Sequence, residues 1–180
     1  MMENEEKEKH IERIYHVVSY DNYCKYFANI EFIDTSVIQR DFKNEKRRKI
    51  EESLEKIRRQ KFPELPSRIT SLFVFNEFNK ENSEKDWASI YSNPQYILLT
   101  LEVISGTIKW FDNSTYEDFY QKDESEEMVE LYWNSLSDLS SNNTSIEGLF
   151  QGIAKIIKRE SKMYSKMKGI TFIEDFEIDQ

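Results

Sequence analysis

Apolar and polar residues alternate along this chain with two periods, and the points where one period gives way to the other outline its elements. Residues Arg13 to Val18 read Arg-Ile-Tyr-His-Val-Val, a β-branched alternation that predicts a first strand. Ser19 or Asp21 then supplies an N-cap for a short helix through Tyr23, Tyr26 and Phe27, and the Glu-Phe-Ile-Asp-Thr-Ser-Val beyond it reads as loop. From Asn44 to about Lys61, Ile50, Leu54 and Ile57 recur at helical spacing with charge on every other face, the pattern of an amphipathic helix. Pro63 and Pro66 end it, because proline lacks a donor and forces its predecessor out of helical dihedrals, and Ile69 to Phe75 then reads as a buried strand.

Asn82 or Ser83 begins a short helix through Trp87, Ile90 and Tyr91 that stops at Asn93-Pro94. Gln95 to Ile104 and Thr107 to Phe111 flank Ser105-Gly106, which predicts two strands joined by a tight hairpin. Ser114 followed by Glu117 is a capping box opening a helix to about Leu136, with the acidic middle, Asp123 to Glu127, as the place where it frays or breaks. The polar run 135–145 is loop. Glu147 to Ile157 reads as a strand with a bulge at Gly152, the basic stretch Lys155 to Lys168 follows, and Ile170 to Ile178 is a last strand. The sum is an α+β fold in which a strand, a helix and a strand precede a largely antiparallel sheet. Neither an internal repeat nor a linker divides it, so residues 13–180 form a single domain behind a charged leader, 1–12.

Composition narrows the function. With 25 Lys and Arg against 34 Asp and Glu, the net charge is −9, which excludes a protein that coats nucleic acid by overall charge. Twelve Phe, ten Tyr and three Trp are too many aromatics for a disordered acidic chain, so the acidity is a solubilising surface around a packed interior. One cysteine, Cys24, cannot close an intramolecular disulfide, and with two histidines it is too thin an inventory for structural zinc. The charged start and the absence of a long apolar stretch predict a cytoplasmic protein without a membrane anchor. Four glycines leave no phosphate loop of the Walker or Rossmann kind, so any nucleotide is held another way.

The residues that stand out are Tyr15-His16 on the first strand, Ser67, Arg68 and Ser71 around the second, Trp87 and Tyr91 on the next helix, and Glu147 opening a late strand. In that order, Tyr-His-Val-Val, Pro-Ser-Arg-Ile-Thr-Ser-Leu-Phe-Val, an aromatic helix and Ile-Glu-Gly-Leu-Phe resemble the ADP-ribosyltransferase superfamily in its His-Tyr-Glu form. The resemblance implies a split antiparallel sheet with flanking helices, NAD as the substrate, and breakage of the nicotinamide glycosidic bond through an oxocarbenium-like transition state. It assigns Glu147 as the catalytic carboxylate, His16 to the adenosine ribose, Tyr91 to stacking on nicotinamide and Ser71 to the strand beneath that ring; Arg68 is the candidate for the pyrophosphate, because a guanidinium fork matches phosphate oxygens, and Ser67 beside it is a further cofactor-binding candidate. Glu147 then faces one cleft together with His16 and Tyr91. Ser145 stands two residues before Glu147, where arginine-modifying members carry a second acid, so an arginine acceptor is not implied.

Each residue also has an ordinary reading. His16 fits a satisfied half-buried strand residue, Arg68 a turn cap or a partner for Glu64, Ser71 a strand hydroxyl, and Trp87 with Tyr91 a core stripe. Glu126, Glu127 and Glu130 are rival carboxylates or a solvated helix face. The implied function is a mono-ADP-ribosyltransferase or NAD glycohydrolase, in a bacterial toxin or phage-defence setting, whose acceptor is a protein or a nucleic acid; the basic stretches Asn44–Lys61 and Lys155–Lys168 read first as charged, solvated faces and second as a route for a nucleic-acid or nucleotide acceptor. The alternative is a catalytically inactive ADP-ribosyltransferase-like or other α+β module that binds a protein partner through its acidic, aromatic surface.

Overall fold

The computed structural model describes residues 13–38, 40, 42, 44–90, 94–121, 126–136, 146–167 and 170–175. The opening alternation forms β1 (Arg13–Ser19), which ends where the Ser19 hydroxyl accepts the N–H of Asn22 and starts α1 (Tyr20–Asn22) and a π-helical turn (Tyr23–Phe27). A short β2 (Phe32–Asp34) and a 3-10 turn (Thr35–Val37) occupy the segment that reads as loop. In α2 (Glu45–Lys61) the Asn44 side chain caps the first turn, accepting from Arg47 N–H at 3.0 Å, and the helix stops two residues before Pro63. β3 (Leu72–Val74) is shorter than the apolar run that predicts it, because residues 68–70 are turn. Then follow α3 (Lys80–Ser89), β4 (Gln95–Asp112), α4 (Asn113–Gln121), α5 (Glu126–Asn134), β5 (Ile146–Met167) and β6 (Ile170–Asp175). Helices and an antiparallel sheet in one domain make this an α+β protein. Among the described residues no helix is long and apolar enough to cross a membrane.

Two expectations fail in one place. Ser105-Gly106 is not a hairpin turn: β4 runs through it, and β5 runs on through the basic stretch to Met167, pairing antiparallel with β4 from Gln95↔Met163 to Asp112↔Ile146. Gly106 and Gly152 face each other in this ladder with positive φ, at 119° and 153°. A Cβ on Gly106 would lie 2.1 Å from the Gln151 carbonyl oxygen, and one on Gly152 2.0 Å from that of Ser105. The glycines allow two backbones to come together beside the register shift at Val103/Ser105, a bulge signal that in sequence looks the same as a turn signal. The predicted helix from Ser114 is divided into α4 and α5, with 122–125 outside the described residues.

β5 is the spine of the sheet. β4 lies along one edge, while β3, β2 and β6 pair in turn with residues 148–150, 153–155 and 162–167 on the other. β1 adds to the far edge of β4, and Tyr15 and Phe75 exchange N–H···O bonds of 2.9 and 3.0 Å. That single bridge links β3 back to β1 and closes the circuit β1–β4–β5–β3. One core holds Ile14, Val18, Leu72, Val74, Leu99 and Phe150; a second, between sheet and helices, holds Ile50, Leu54, Phe73, Phe111, Trp133 and Leu149. Alternation along β5 therefore assigns Ile146 and Phe150 to the first core and Glu147 and Leu149 to the second. Gly152→Ala is expected to destabilise the fold by about 2–4 kcal/mol in urea denaturation, since backbone rather than a movable side chain blocks the methyl; a loss within experimental error would show that the two strands separate at no cost.

Candidate functional site

Buried charge gathers where the turn after Pro66 passes between α2, α4, α5 and the start of β5. The Ser71 hydroxyl donates to the Ser67 carbonyl at 2.6 Å, and Ile69 N–H donates to Ser67 Oγ at 3.2 Å, so the two serines fix the turn that carries Arg68. Ser67 Oγ also donates to Glu55 Oε2 at 2.8 Å, tying the turn to α2. Glu55 accepts as well from Arg58 and Arg59; burial opposes its ionisation, but these donors lower its pKa to about 2. An open cavity of about 480 Å³ adjoins the turn, lined by Ser36, Glu55, Arg58, Arg59, Ser67 and Thr70 among others.

Arg68 is 2 % exposed. Its Nε donates to Glu51 Oε2 at 3.0 Å and its Nη2 to Glu51 Oε1 at 3.3 Å, a side-on bidentate pair. Its Nη1 donates to Glu147 Oε1 and to the Tyr132 hydroxyl, and that hydroxyl donates in turn to Glu147 Oε1 at 2.8 Å. Tyr116 donates to Glu51 Oε1 at 3.0 Å. Aromatic faces enclose the guanidinium, whose carbon lies 4.2 Å from the Tyr116 ring centre, 4.7 Å from Phe73 and 4.9 Å from Tyr132. Burial opposes the charge on Arg68, yet Glu147 and Glu51 outweigh it and hold its pKa well above the ordinary value. Burial, with Glu147 beside it, likewise pushes the Tyr132 phenol far up, so it stays a donor.

One guanidinium thus serves two buried carboxylates, and its bidentate edge is already matched by Glu51. Glu147, 4 % exposed, is the surplus negative charge, and among the described residues both of its partners reach Oε1. A preformed anionic group in a low-dielectric site suits a cation or a developing positive charge. The negative field extends outward: burial raises the carboxyl pKa of Glu117 on α4, and Glu147 and Asp86 raise it further, while burial raises that of Asp86 on α3.

The structure brings Arg68, Glu147, Ser67 and Ser71 into one cluster and its immediate support. Arg68 has carboxylates on both edges of its fork, where a pyrophosphate was the sequence expectation, because Glu51 and Glu147 reach it first. His16 is not in this cluster. Its ring meets Phe27 on the side of the first core, 5.9 Å between centres, and Nδ1 bonds the Phe73 carbonyl at 2.8 Å, whereas Glu147 lies on the helix-covered face. A cleft shared by His16 and Glu147 is therefore not the arrangement found. Tyr91 lies outside the described residues. Of the rival carboxylates, Glu126 and Glu130 pair with Lys61 between α5 and α2, and Glu127 is exposed. Sequence reasoning missed Glu51, Tyr116 and Tyr132. The signal for Glu51 was its place beside Ile50 and three residues before Leu54, on the buried stripe rather than on a charged face.

A family model described as a protein of unknown function (DUF2441) matches residues 1–163. No curated protein matches the chain.

Either Glu51→Gln or Glu147→Gln alone leaves Arg68 one carboxylate, but the double variant leaves a buried bare cation. Chemical denaturation should show the double variant about 3–5 kcal/mol less stable than the sum of the single changes allows; strict additivity would mean that the two pairs are independent. His16 supplies a pH test. Burial lowers its pKa from 6.5 to about 4, against the Phe73 hydrogen bond and with help from Arg40. The unfolded chain takes up this proton first, so its contribution is complete above pH 6.5 and is lost as pH falls towards 4, up to about 3 kcal/mol. Stability measured across that window should be flatter in His16→Gln, and an unchanged slope would assign the pH dependence to other groups.

Proposed function

The chain belongs to the DUF2441 family, and we propose from its site that it cleaves NAD, transferring ADP-ribose to a protein or nucleic-acid acceptor or to water, with Glu147 as the essential carboxylate. The observation that supports this is the surplus: Arg68 already has a bidentate partner in Glu51, and Glu147 is a second buried carboxylate on the same cation. In this reaction the bond between nicotinamide nitrogen and the ribose carbon breaks, its electron pair leaves with neutral nicotinamide, and the ribose carbon becomes cation-like until the acceptor adds and loses its proton. A fixed carboxylate within a few ångströms lowers that barrier by charge alone, and the ionised Glu147 also accepts a ribose hydroxyl. Tyr132 and Arg68 hold Oε1, which orients the group without a movable part.

Ser67 and Ser71 take supporting roles in this reading, by fixing the turn under Arg68. His16, with Nδ1 on the Phe73 carbonyl and its ring on the opposite face of the sheet from Glu147, takes no part in this reading. The negative field from Glu117 and Asp86 favours the cationic nicotinamide end of the substrate. A cytoplasmic setting, where a single cysteine stays reduced and NAD is present, belongs to the same reading. A toxin or phage-defence role follows if the acceptor is essential to a host cell.

A second reading rests on the low exposure of Glu147: an Arg68–Glu147–Tyr132 network that only ties the helices to the sheet, in a binding module without catalysis. Nicotinamide release from NAD, with and without cell extract, separates the two. Glu147→Gln should lower it by about two orders of magnitude or more, while the melting temperature stays within about 4 °C of wild type because Arg68 keeps Glu51. Wild-type protein that neither binds nor cleaves NAD, together with a collapse of stability in Glu147→Gln, would favour the binding module.

A further inference from the structure

Glu51 approaches Arg68 from α2 on the side away from Glu147, and its two oxygens occupy Nε and Nη2. With the fork held in that direction, Glu147 meets Nη1 and does so through one oxygen, Oε1, which the Tyr132 hydroxyl also reaches. A guanidinium offered a single carboxylate pairs with both of its oxygens, because the fork matches that geometry. With Glu51 absent, Arg68 would turn its fork onto Glu147, occupy Oε1 and Oε2 together and cancel its charge. Tyr116 secures the alternative: it donates to Glu51 Oε1 and covers one face of the guanidinium, so Glu51 and Arg68 are held in plane. We propose that Glu51 is a positioning residue that acts through Arg68, drawing the guanidinium off Glu147 so that one carboxylate oxygen and one unit of negative charge stay available to a ligand.

The proposal rests on the NAD reading for its reaction but not for its geometry, so two measurements separate them. In a crystal structure of Glu51→Gln, Arg68 should contact both oxygens of Glu147 instead of Oε1 alone. In the same variant nicotinamide release should fall at least about tenfold in kcat with the KM for NAD within about twofold, since ground-state contacts to NAD are unchanged while charge at the reacting carbon is reduced. A variant that misfolds overturns the proposal, because Arg68 still has Glu147; so does a folded variant in which the fork has not turned, or one whose kcat is wild-type. If the fork turns but wild-type protein releases no nicotinamide, the positioning by Glu51 stands and the NAD reading fails.

Discussion

A single guanidinium between two buried carboxylates is the constraint on which the rest of this structure depends. An ion in the interior costs several kcal/mol unless its partners are well placed, and Arg68 draws its partners from α2, α5 and β5, with Tyr116 of α4 against its face. The helical layer therefore cannot slide over the sheet without separating charges. Apolar contacts such as Ile50, Leu54 and Trp133 against Phe111 and Leu149 supply the larger part of the cohesion but are tolerant of small displacements. The ionic cluster is not tolerant, and it fixes the register of the layer to within a hydrogen bond.

Beneath it the sheet is organised by β5. Its first half is covered on both faces, so Ile146 to Phe150 is apolar except at Glu147, and that one exception points into the layer where Arg68 waits. Position in the strand decides this: a shift of one residue would turn the carboxylate into the first core, where Leu72 and Val74 provide no donor. The facing glycines Gly106 and Gly152 help to hold that register, because no other pair of residues fits where the two backbones meet. A surface-like feature of the middle of the ladder thus sets the orientation of a buried charge five residues away.

Periodicity made β1, α2 and the α+β class legible, since in each the apolar positions and the capping or breaking residues agree: Asn44 at one end of α2 and Pro63 at the other. Ser105-Gly106 misled, because a bulge and a hairpin use the same permissive residues and only the partner strand distinguishes them. At the site, Arg68 and Glu147 stood out as charges beside apolar strands, although nothing local shows that they meet across 79 positions. Glu51 did not stand out, because in a helix so rich in Glu, Lys and Arg a buried carboxylate looks like the exposed ones around it. The opposite faces of His16 and Glu147 follow from strand pairing, which no periodicity within one segment can supply.

The bridge between Tyr15 and Phe75 has a consequence for how the chain is made. Synthesis proceeds from the N-terminus, and β1 emerges some eighty residues before β4, the strand that fills its ladder. β3 in turn waits for residues 148–150. The circuit closes only when its last member, β5, has left the ribosome, so until then β3 lacks its ladder partner. Pairing with β5 is therefore the step that completes the sheet, and every other strand of the circuit is made before it.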